Sequence, residues 1–258
     1  MMEALITGLF RYPVKGFSPE RLSEAELAPG RAIAQDRRWV VENGPSGFDP
    51  DSPKYVPKMK FAVLAAHPVV AAAWTRVQGT DISASAPGRP DFRGDLAAEA
   101  GREGFGAWVG RLLGEDACDG VRVLQAPDYQ FLDHPLGHVS IVNMASVRDL
   151  EARIGRPVDP MRFRANLYVE GWPPWVENDW KGRNLLLGFA RATVFAPIVR
   201  CAATEVDPQT AKRDLPLVEH LFEQYGHRDC GIYVQVTHGG TVRVGDACST
   251  PGDPERPE

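Results

Sequence analysis

GIYVQVTHGGTVRV, residues 231–244, is the most regular stretch of the chain. Apolar and polar side chains alternate over 231–237, which is the period of a β-strand with one buried face. Gly239 and Gly240 then offer a tight turn, and the alternation resumes over 241–244. Two such runs around a Gly-Gly pair predict a β-hairpin.

Short strand-like runs of the same kind recur along the whole chain. The 25 glycines and 22 prolines fit many short elements joined by tight turns. Apolar residues at helical spacing predict helices over 105–112, over 144–154 after a capping Asn143, and over 215–225. The other predicted strands are 3–11, 20–28, 37–43, 68–77, 120–125, 164–169, 184–187, 191–196 and 199–206.

The spacing of these strands favours barrels over a doubly wound sheet, in which helices would alternate with strands. We therefore predict a mostly β (α+β) fold with two β-barrel-like parts and a few flanking helices. The parts are predicted to be an N-terminal barrel domain at 1–125 and a second domain at 126–250, followed by a short polar tail at 251–258. Residues 43–58 hold four prolines and are predicted to form a long ordered loop over the surface or over a site.

Composition and charge exclude several classes of protein. The 258 residues carry 29 Lys and Arg against 34 Asp and Glu, a net charge of −5, which argues against binding of a nucleic-acid polymer. No apolar run reaches the roughly 18 residues of a transmembrane helix, and the first residues do not resemble a secretory signal. The four cysteines are widely spaced and form no C-x-x-C pair. We therefore expect free thiols in a reduced cytoplasmic protein that does not bind membranes.

Cys201 is the first candidate for chemistry. It follows Arg200 in the stretch PIVRCAAT, residues 197–204, which we interpret as a strand that begins after a proline. A neighbouring cation favours the thiolate, the form of cysteine that attacks substrates or binds metals. The alternative is a cysteine buried in the core beside an unrelated arginine.

Several cations lie at the predicted ends of strands, where side chains can converge on a crevice. In an otherwise acidic chain such a set fits an anionic cofactor, most simply one with a phosphate. Ordinary surface charge is the alternative for any one of them. The cations are Lys15, Arg37, Arg38, Arg162 and Arg164.

A loop rich in tryptophan and proline, WPPWVENDW at 172–180, ends in the carboxylates Glu177 and Asp179. Such a loop is rigid enough to hold a carboxylate over a site. The alternative is a packed corner of the fold.

Eight short motifs follow one another along the chain: YPVK at 12–15, DRRW at 36–39, RFRAN at 162–166, ENDW at 177–180, RC at 200–201, VDP at 206–208, CGIY at 230–233 and VGD at 244–246. Taken in order, they resemble the MOSC (molybdenum cofactor sulfurase C-terminal) domain proteins that carry an N-terminal MOSC-type β-barrel. This group includes the mitochondrial amidoxime-reducing component and the bacterial YcbX-type proteins. The resemblance spans about residues 3–247 and rests on the order and spacing of the motifs rather than on any single one.

The resemblance implies a molybdenum cofactor of the molybdopterin type, held between the two parts. In that family the cysteine of the Arg-Cys motif ligates the molybdenum, which assigns Cys201 as the metal ligand. A soft thiolate suits such a centre. The resemblance further implies that Asp179 delivers protons or orients substrate. The residues implied to bind the cofactor are Lys15, Arg37, Arg164, Asn166, Arg200 and Cys201.

The sequence departs from the family pattern in three places. Gly16 follows Lys15 where relatives often have serine, and Val199 stands where they have a small polar residue. We do not expect a counterpart of the ferredoxin-like domain of the YcbX-type proteins after Asp246, so the resemblance implies that electrons come from a separate ferredoxin- or flavin-type protein.

The leading hypothesis from the sequence is a molybdenum-dependent oxidoreductase. It would reduce N-hydroxylated compounds (N-oxygenated bases, amidoximes or hydroxylamines) by removing oxygen at a metal held by Cys201. The alternative is a carrier of sulfur, as a persulfide, or of the molybdenum cofactor, which would use the same thiolate. A barrel that has lost its cofactor is the third possibility left open.

Overall fold

The computed structural model describes residues 2–250. The polar tail predicted at 251–258 lies outside the described residues. No helix within 2–250 has the length and apolar character needed to cross a membrane.

Three α-helices and fifteen strands make up the regular structure within residues 2–250. The helices are α1 (Glu99–Leu113), α2 (Met144–Ile154) and α3 (Leu217–Tyr225). The strands are β1 (Glu3–Arg11), β2 (Glu20–Arg21), β3 (Glu24–Leu27), β4 (Val40–Glu42), β5 (Trp74–Gln78), β6 (Asp81–Ser85), β7 (Phe92–Asp95), β8 (Arg122–Leu124), β9 (Val139–Asn143), β10 (Leu167–Glu170), β11 (Asn184–Leu187), β12 (Ala190–Val199), β13 (Asp229–His238), β14 (Gly240–Arg243) and β15 (Ala247–Ser249).

A closed barrel of seven strands forms the centre of the fold. Its strands follow the order β10, β9, β13, β12, β11, β15 and β1, and the pairing of β1 with β10 closes the ring. All neighbours are antiparallel except β9 and β10. Strand β1 suits a barrel wall because Ala4 and Ile6 point into the core while Glu3 and Leu5 face out.

Smaller sheets and α1 form the rest of the first half. Strands β5, β6 and β7 make an antiparallel sheet, β4 pairs with β8, and α1 packs against β7 and β8. The predicted helical residues Phe105 and Trp108 are buried there, in one core with Trp39. The helix begins at Glu99, before the predicted run 105–112. Its first turns are mostly polar, so the spacing of apolar residues could not reveal them. At Gly101 a Cβ would lie 1.9 Å from the Asp95 carbonyl oxygen, so only glycine allows this close approach.

Helix α2 has the cap that the sequence predicts. The Asn143 side-chain oxygen accepts a hydrogen bond from the Ala145 amide at 3.1 Å, and Gly155 ends the helix with a left-handed φ of 65°. The helix therefore starts directly at the end of β9, which fixes it beside the barrel.

The predicted hairpin over 231–244 does not form, and this expectation was wrong. Strand β14 pairs with β3 instead, with Val242 opposite Ala25. Strand β12 pairs with β13 as far as His238 on one edge. On the other edge β9 pairs with residues 232–234, and the Gly30 amide, from the segment after β3, donates to the Val236 carbonyl. The segment after β3 thus takes the place beside Val236 that a returning hairpin strand would need, and β14 pairs with β3.

Several further strand predictions need correction. In the run 68–77, Pro68–Ala72 form a 3₁₀ helix, and the strand is Trp74–Gln78. The run 199–206 is not a strand: β12 ends at Val199, and Ala202–Glu205 form a 3₁₀ turn that starts at Cys201. The strand predicted at 37–43 begins only at Val40, because Arg37 has a φ of 50°, outside the extended region.

The predicted fold class is confirmed. The described residues are mostly β, with three helices, the closed barrel and smaller sheets. The division at residue 125 stays a prediction. Strand β1, from the first part of that division, is a wall of the barrel that the second part builds.

Candidate functional site

A cavity opens beside the barrel, at the end of β12, and has a volume of about 860 Å³ when the space at its mouth is included. Six cationic side chains and one carboxylate, that of Asp133, line it. The structure brings to this one cavity all six residues that the resemblance assigns to the cofactor. They are Lys15, Arg37, Arg164, Asn166, Arg200 and Cys201.

Cys201 lies two residues after the end of β12 and is half-buried. Its carbonyl oxygen accepts hydrogen bonds from the amide and the hydroxyl of Thr204, both at 3.0 Å, which hold the turn that follows. Its Sγ accepts a hydrogen bond from the Lys58 ammonium at 3.1 Å. The thiol is thus held at the cavity wall by a turn on one side and a cation on the other.

The other cysteines do not reach this cavity. Cys230 and Cys248 are fully buried, and burial raises the pKa of the Cys230 thiol to about 12 and the pKa of Cys248 above its ordinary value. Cys118 is exposed and lies against the backbone at Gly44. Among the described residues, Cys201 is the cysteine that lines the cavity.

Lys15 is a buried cation in the segment after β1, with 4% of its surface exposed. Its Nζ lies 2.7 Å from Asp133 Oδ1 and donates to the Phe131 carbonyl at 2.8 Å. Burial lowers the pKa of Lys15, and the Asp133 carboxylate only partly offsets this. The sequence interpretation missed Asp133, which lies in the irregular segment between β8 and β9.

The charges of two lysines act on the Asp133 carboxylate, and Lys15 forms the ion pair with it. Burial raises its pKa, but Lys15 and Lys58 outweigh burial and hold the pKa well below its usual range. Lys58 was also missed as a site residue, although the proline-rich loop that carries it was predicted to cover the surface or a site. Burial lowers the pKa of Lys58, whereas Asp133 and Cys201 raise it, and the pKa lies above its ordinary value.

Arg37 and Arg164 both pack on the ring of the buried Tyr12. Their guanidinium carbons lie 4.9 Å and 4.4 Å from the ring centroid. Arg37 pairs with the fully buried Asp36 and donates to the Arg164 carbonyl at 3.3 Å. Arg164 donates to the Phe17 carbonyl at 2.6 Å, and burial lowers its pKa. Both arginines have left-handed backbones, with φ of 50° and 51°, which turn the chain toward the cavity.

The side chains of Asn166 and Arg200 form hydrogen bonds with other groups of the protein. The Asn166 side-chain oxygen accepts from the Ser140 amide and hydroxyl, at 3.1 Å and 2.9 Å. Arg200 donates to the carbonyl oxygens of Cys230 and Phe163, each at 2.8 Å. These contacts fix the walls beside Cys201, while the cofactor-binding roles of both residues stay predictions.

Asp179 does not line the cavity. It is exposed, at the end of a 3₁₀ turn formed by Val176–Asp179. The structure therefore does not bring the residue predicted for proton delivery to Cys201. The loop is a packed corner: Trp172 and Trp180 are buried against each other, with ring centroids 4.7 Å apart.

Glu177, in the same loop, is fully buried and predicts a pH effect on stability. It accepts hydrogen bonds from Asn143 Nδ2 and Ser146 Oγ, both at 2.9 Å. Burial raises its pKa above that of the unfolded chain, so the folded state holds the proton more tightly. The contribution of Glu177 to the unfolding free energy is complete below the pKa of the unfolded chain and is lost as the pH rises through the pKa of the folded protein. Glutamine does not ionise, so we expect Glu177→Gln to reduce this loss of stability with pH.

Urea unfolding of both proteins between pH 4 and pH 7 measures this effect. The stability of Glu177→Gln relative to the wild type is expected to increase steadily with pH. Glu219→Gln, at an exposed position on α3, is the control and is expected to follow the wild type. A constant difference between Glu177→Gln and the wild type across the range would contradict the assignment.

Gly16, where relatives often have serine, is required by the local backbone. Its φ is 90°, and a Cβ would lie 2.9 Å from the Ala62 carbonyl oxygen and 3.1 Å from Val63 Cα. We expect Gly16→Ser to lower the unfolding free energy by about 1–3 kcal/mol, through backbone strain and a clash with fixed backbone. Gly30→Ser is the control, because Gly30 also has a positive φ but open space around it. If urea unfolding showed equal losses of unfolding free energy in the two variants, the clash at Gly16 would be refuted as a cause.

Three comparisons place these features among known proteins. Family models match residues 3–126 as "MOSC N-terminal beta barrel domain" and residues 128–249 as "MOSC domain". Mitochondrial amidoxime-reducing component 1 from Mus musculus is 29% identical over 120 residues, which cover 41% of this chain and 34% of that protein. Molybdenum cofactor sulfurase from Danio rerio is 25% identical over an alignment of 272 positions, covering 89% of this chain and 31% of that protein.

The chain thus spans about a third of the length of these curated relatives. Among solved structures, the YUAD protein from Bacillus subtilis aligns with a TM-score of 0.47 at 16% identity. That alignment covers 96% of this chain and 94% of the other.

Proposed function

The chain is a MOSC domain protein with a MOSC N-terminal beta barrel domain, and from this membership we propose that it is a molybdenum-cofactor-dependent oxidoreductase. It would reduce N-hydroxylated compounds such as amidoximes and hydroxylamines to the corresponding amidines and amines. The observation that carries the proposal is the half-buried Cys201 thiol at the wall of a cavity whose charged lining is six cations and one carboxylate.

The residues present fit a molybdopterin-type cofactor. A soft thiolate is a suitable ligand for a molybdenum centre, and the cations around it suit a phosphate and the edge of a pterin. The buried Nε of Arg162, a residue of the cavity wall, has no hydrogen-bond partner among the described residues. A buried donor without a partner is costly, and a bound acceptor would supply one.

Each residue has a distinct part in this proposal. When bound, the cofactor would supply two-electron chemistry for the removal of oxygen. Cys201 Sγ would hold the metal, and Lys15 and Arg164 would hold the anionic part of the cofactor. Asp133 keeps the Lys15 ammonium in place at 2.7 Å. The apolar wall, which includes Ile198, limits water around the reacting bond.

The overall reaction balances with two electrons and two protons. The N–O bond of a hydroxylamine breaks, the nitrogen is reduced to the amine, and the oxygen leaves as water. The electron donor in this proposal is a separate ferredoxin- or flavin-type protein, which an assay can replace with a chemical reductant.

The test is the molybdenum content and reductase activity of the chain purified from a host that makes the cofactor. We expect about one molybdenum atom per chain and conversion of benzamidoxime to benzamidine with reduced methyl viologen as electron source. The same chain from a host unable to make the cofactor is the control and is expected to be inactive. Absence of molybdenum, or a loaded protein without turnover on amidoximes and hydroxylamines, would overturn the proposal.

A sulfur carrier is the second candidate, and one contact favours it. The Lys58 ammonium, 3.1 Å from Cys201 Sγ, would also stabilise a persulfide anion. Mass spectrometry of the intact native protein separates the two candidates. A mass increase of one sulfur atom on Cys201 in molybdenum-free protein would favour the carrier.

A further inference from the structure

Lys58 has a contact that its neighbours in the sequence lack. Its Nζ donates to the Sγ of Cys201, a residue 143 positions further along the chain, at 3.1 Å. Met59 is 60% exposed and Lys60 is also exposed, whereas Lys58 is half-buried at the cavity wall. Within this segment the chain therefore directs one cation inward, to the sulfur.

The backbone around Lys58 fixes this direction. Lys58–Lys60 form a 3₁₀ turn, in which the Lys60 amide donates to the Pro57 carbonyl and the Phe61 amide to the Lys58 carbonyl, both at 3.1 Å. Phe61 is buried, and the next residue along the chain bonds to β4. The turn that presents Lys58 is thus attached to the core on its C-terminal side.

Asp133, in the irregular segment between β8 and β9, supports the same arrangement. Its carboxylate attracts Lys58 as well as Lys15, and its carbonyl oxygen accepts a hydrogen bond from the Tyr55 hydroxyl at 3.3 Å. The segment before Lys58 is thereby tied to the cavity wall at Asp133. The contacts of Tyr55 and Lys58 with distant parts of the chain thus both end at residues of the cavity wall.

We propose that Lys58 is a positioning residue for Cys201: its ammonium donates a hydrogen bond to the sulfur, directs that sulfur into the cavity and holds the proline-rich loop against the site. The part that concerns the metal rests on the proposed function. The part that concerns the loop does not.

A hydrogen bond to a ligating sulfur withdraws electron density from it and makes the bound metal easier to reduce. A lysine that served only to pack the loop would leave the metal's reduction potential unchanged. The potential therefore distinguishes a contact with the sulfur from a merely structural role.

The first experiment measures the molybdenum reduction potentials of the loaded protein at one pH, followed by electron paramagnetic resonance. Lys58→Met removes the donor and keeps the length of the side chain, and Lys60→Met is the matched control two residues away. We expect a shift to lower potential in Lys58→Met and wild-type values in Lys60→Met. Unchanged potentials in a fully loaded Lys58→Met protein would overturn the proposal.

The second experiment uses metal-free protein and amide hydrogen exchange over residues 49–60. Lys58→Met and Cys201→Ala each remove one partner of the same contact, so both are expected to speed exchange of this segment several-fold and to similar extents. Lys60→Met is expected to match the wild type. Wild-type exchange in Lys58→Met would overturn the proposal, even if the wild-type chain binds no molybdenum. A wild-type chain without molybdenum contradicts the proposed function alone.

Discussion

Replacement of Cys201 by alanine is expected to abolish molybdenum binding and amidoxime reduction together. Among the described residues, Cys201 is the cysteine that lines the cavity. Of the other three thiols, two are buried elsewhere and one is exposed outside the cavity. We expect a loss larger than the roughly 100-fold that removal of a supporting hydrogen bond costs a metal site. Elemental analysis and the viologen-driven assay measure the two effects on one sample.

Cys118→Ala is the matched control for this prediction. It removes an exposed thiol that lies against Gly44, away from the cavity, and is expected to keep wild-type molybdenum content and activity. Thermal unfolding of both variants excludes a general loss of structure. Retention of one molybdenum atom per chain in Cys201→Ala would contradict the ligand assignment.

Asp36→Ala is expected to have the largest effect on stability. The carboxylate is fully buried, accepts a hydrogen bond from the Tyr12 amide at 2.7 Å and pairs with the Arg37 guanidinium, which is 11% exposed. Its removal leaves a buried cation without its counter-charge and a buried amide without an acceptor. We expect a loss of about 3–5 kcal/mol in the unfolding free energy, measured by urea unfolding.

Two further variants sharpen this measurement. Asp36→Asn keeps an acceptor for the Tyr12 amide but not the charge, and its loss is expected to be smaller than that of Asp36→Ala. Glu24→Ala removes a carboxylate from an exposed pair with Arg243, where a loss of about 0–1 kcal/mol is expected. Equal losses in Asp36→Ala and Glu24→Ala would show that burial of the Asp36–Arg37 pair has no energetic weight.

The sequence was informative where the signal is local. Alternation identified β1 and β13, a polar cap and a glycine identified α2, and the order of short motifs pointed to Cys201 and the cations around it. These features depend on residues that are close in the chain, or on a pattern that a family repeats.

Features that depend on distant pairings could not be predicted. Lys58 and Asp133 both lie in irregular segments, and only the fold brings them to the cavity. Strand β14 has a normal strand pattern, but its partner depends on which edges the barrel leaves free. The backbone of Arg37 is left-handed, with a φ of 50°, and arginine is not a residue type that predicts this conformation.

The course of β1 has a consequence for synthesis of the protein. Strand β1 is made before the other strands of the barrel, yet its partners there are β10 and β15, and Glu3 pairs with Ser249. The ring therefore cannot close until residue 249 has left the ribosome, and until then β1 and β11 each lack their β15 neighbour. Unpaired strand edges promote association between nascent chains, so this topology carries a hazard of aggregation during translation.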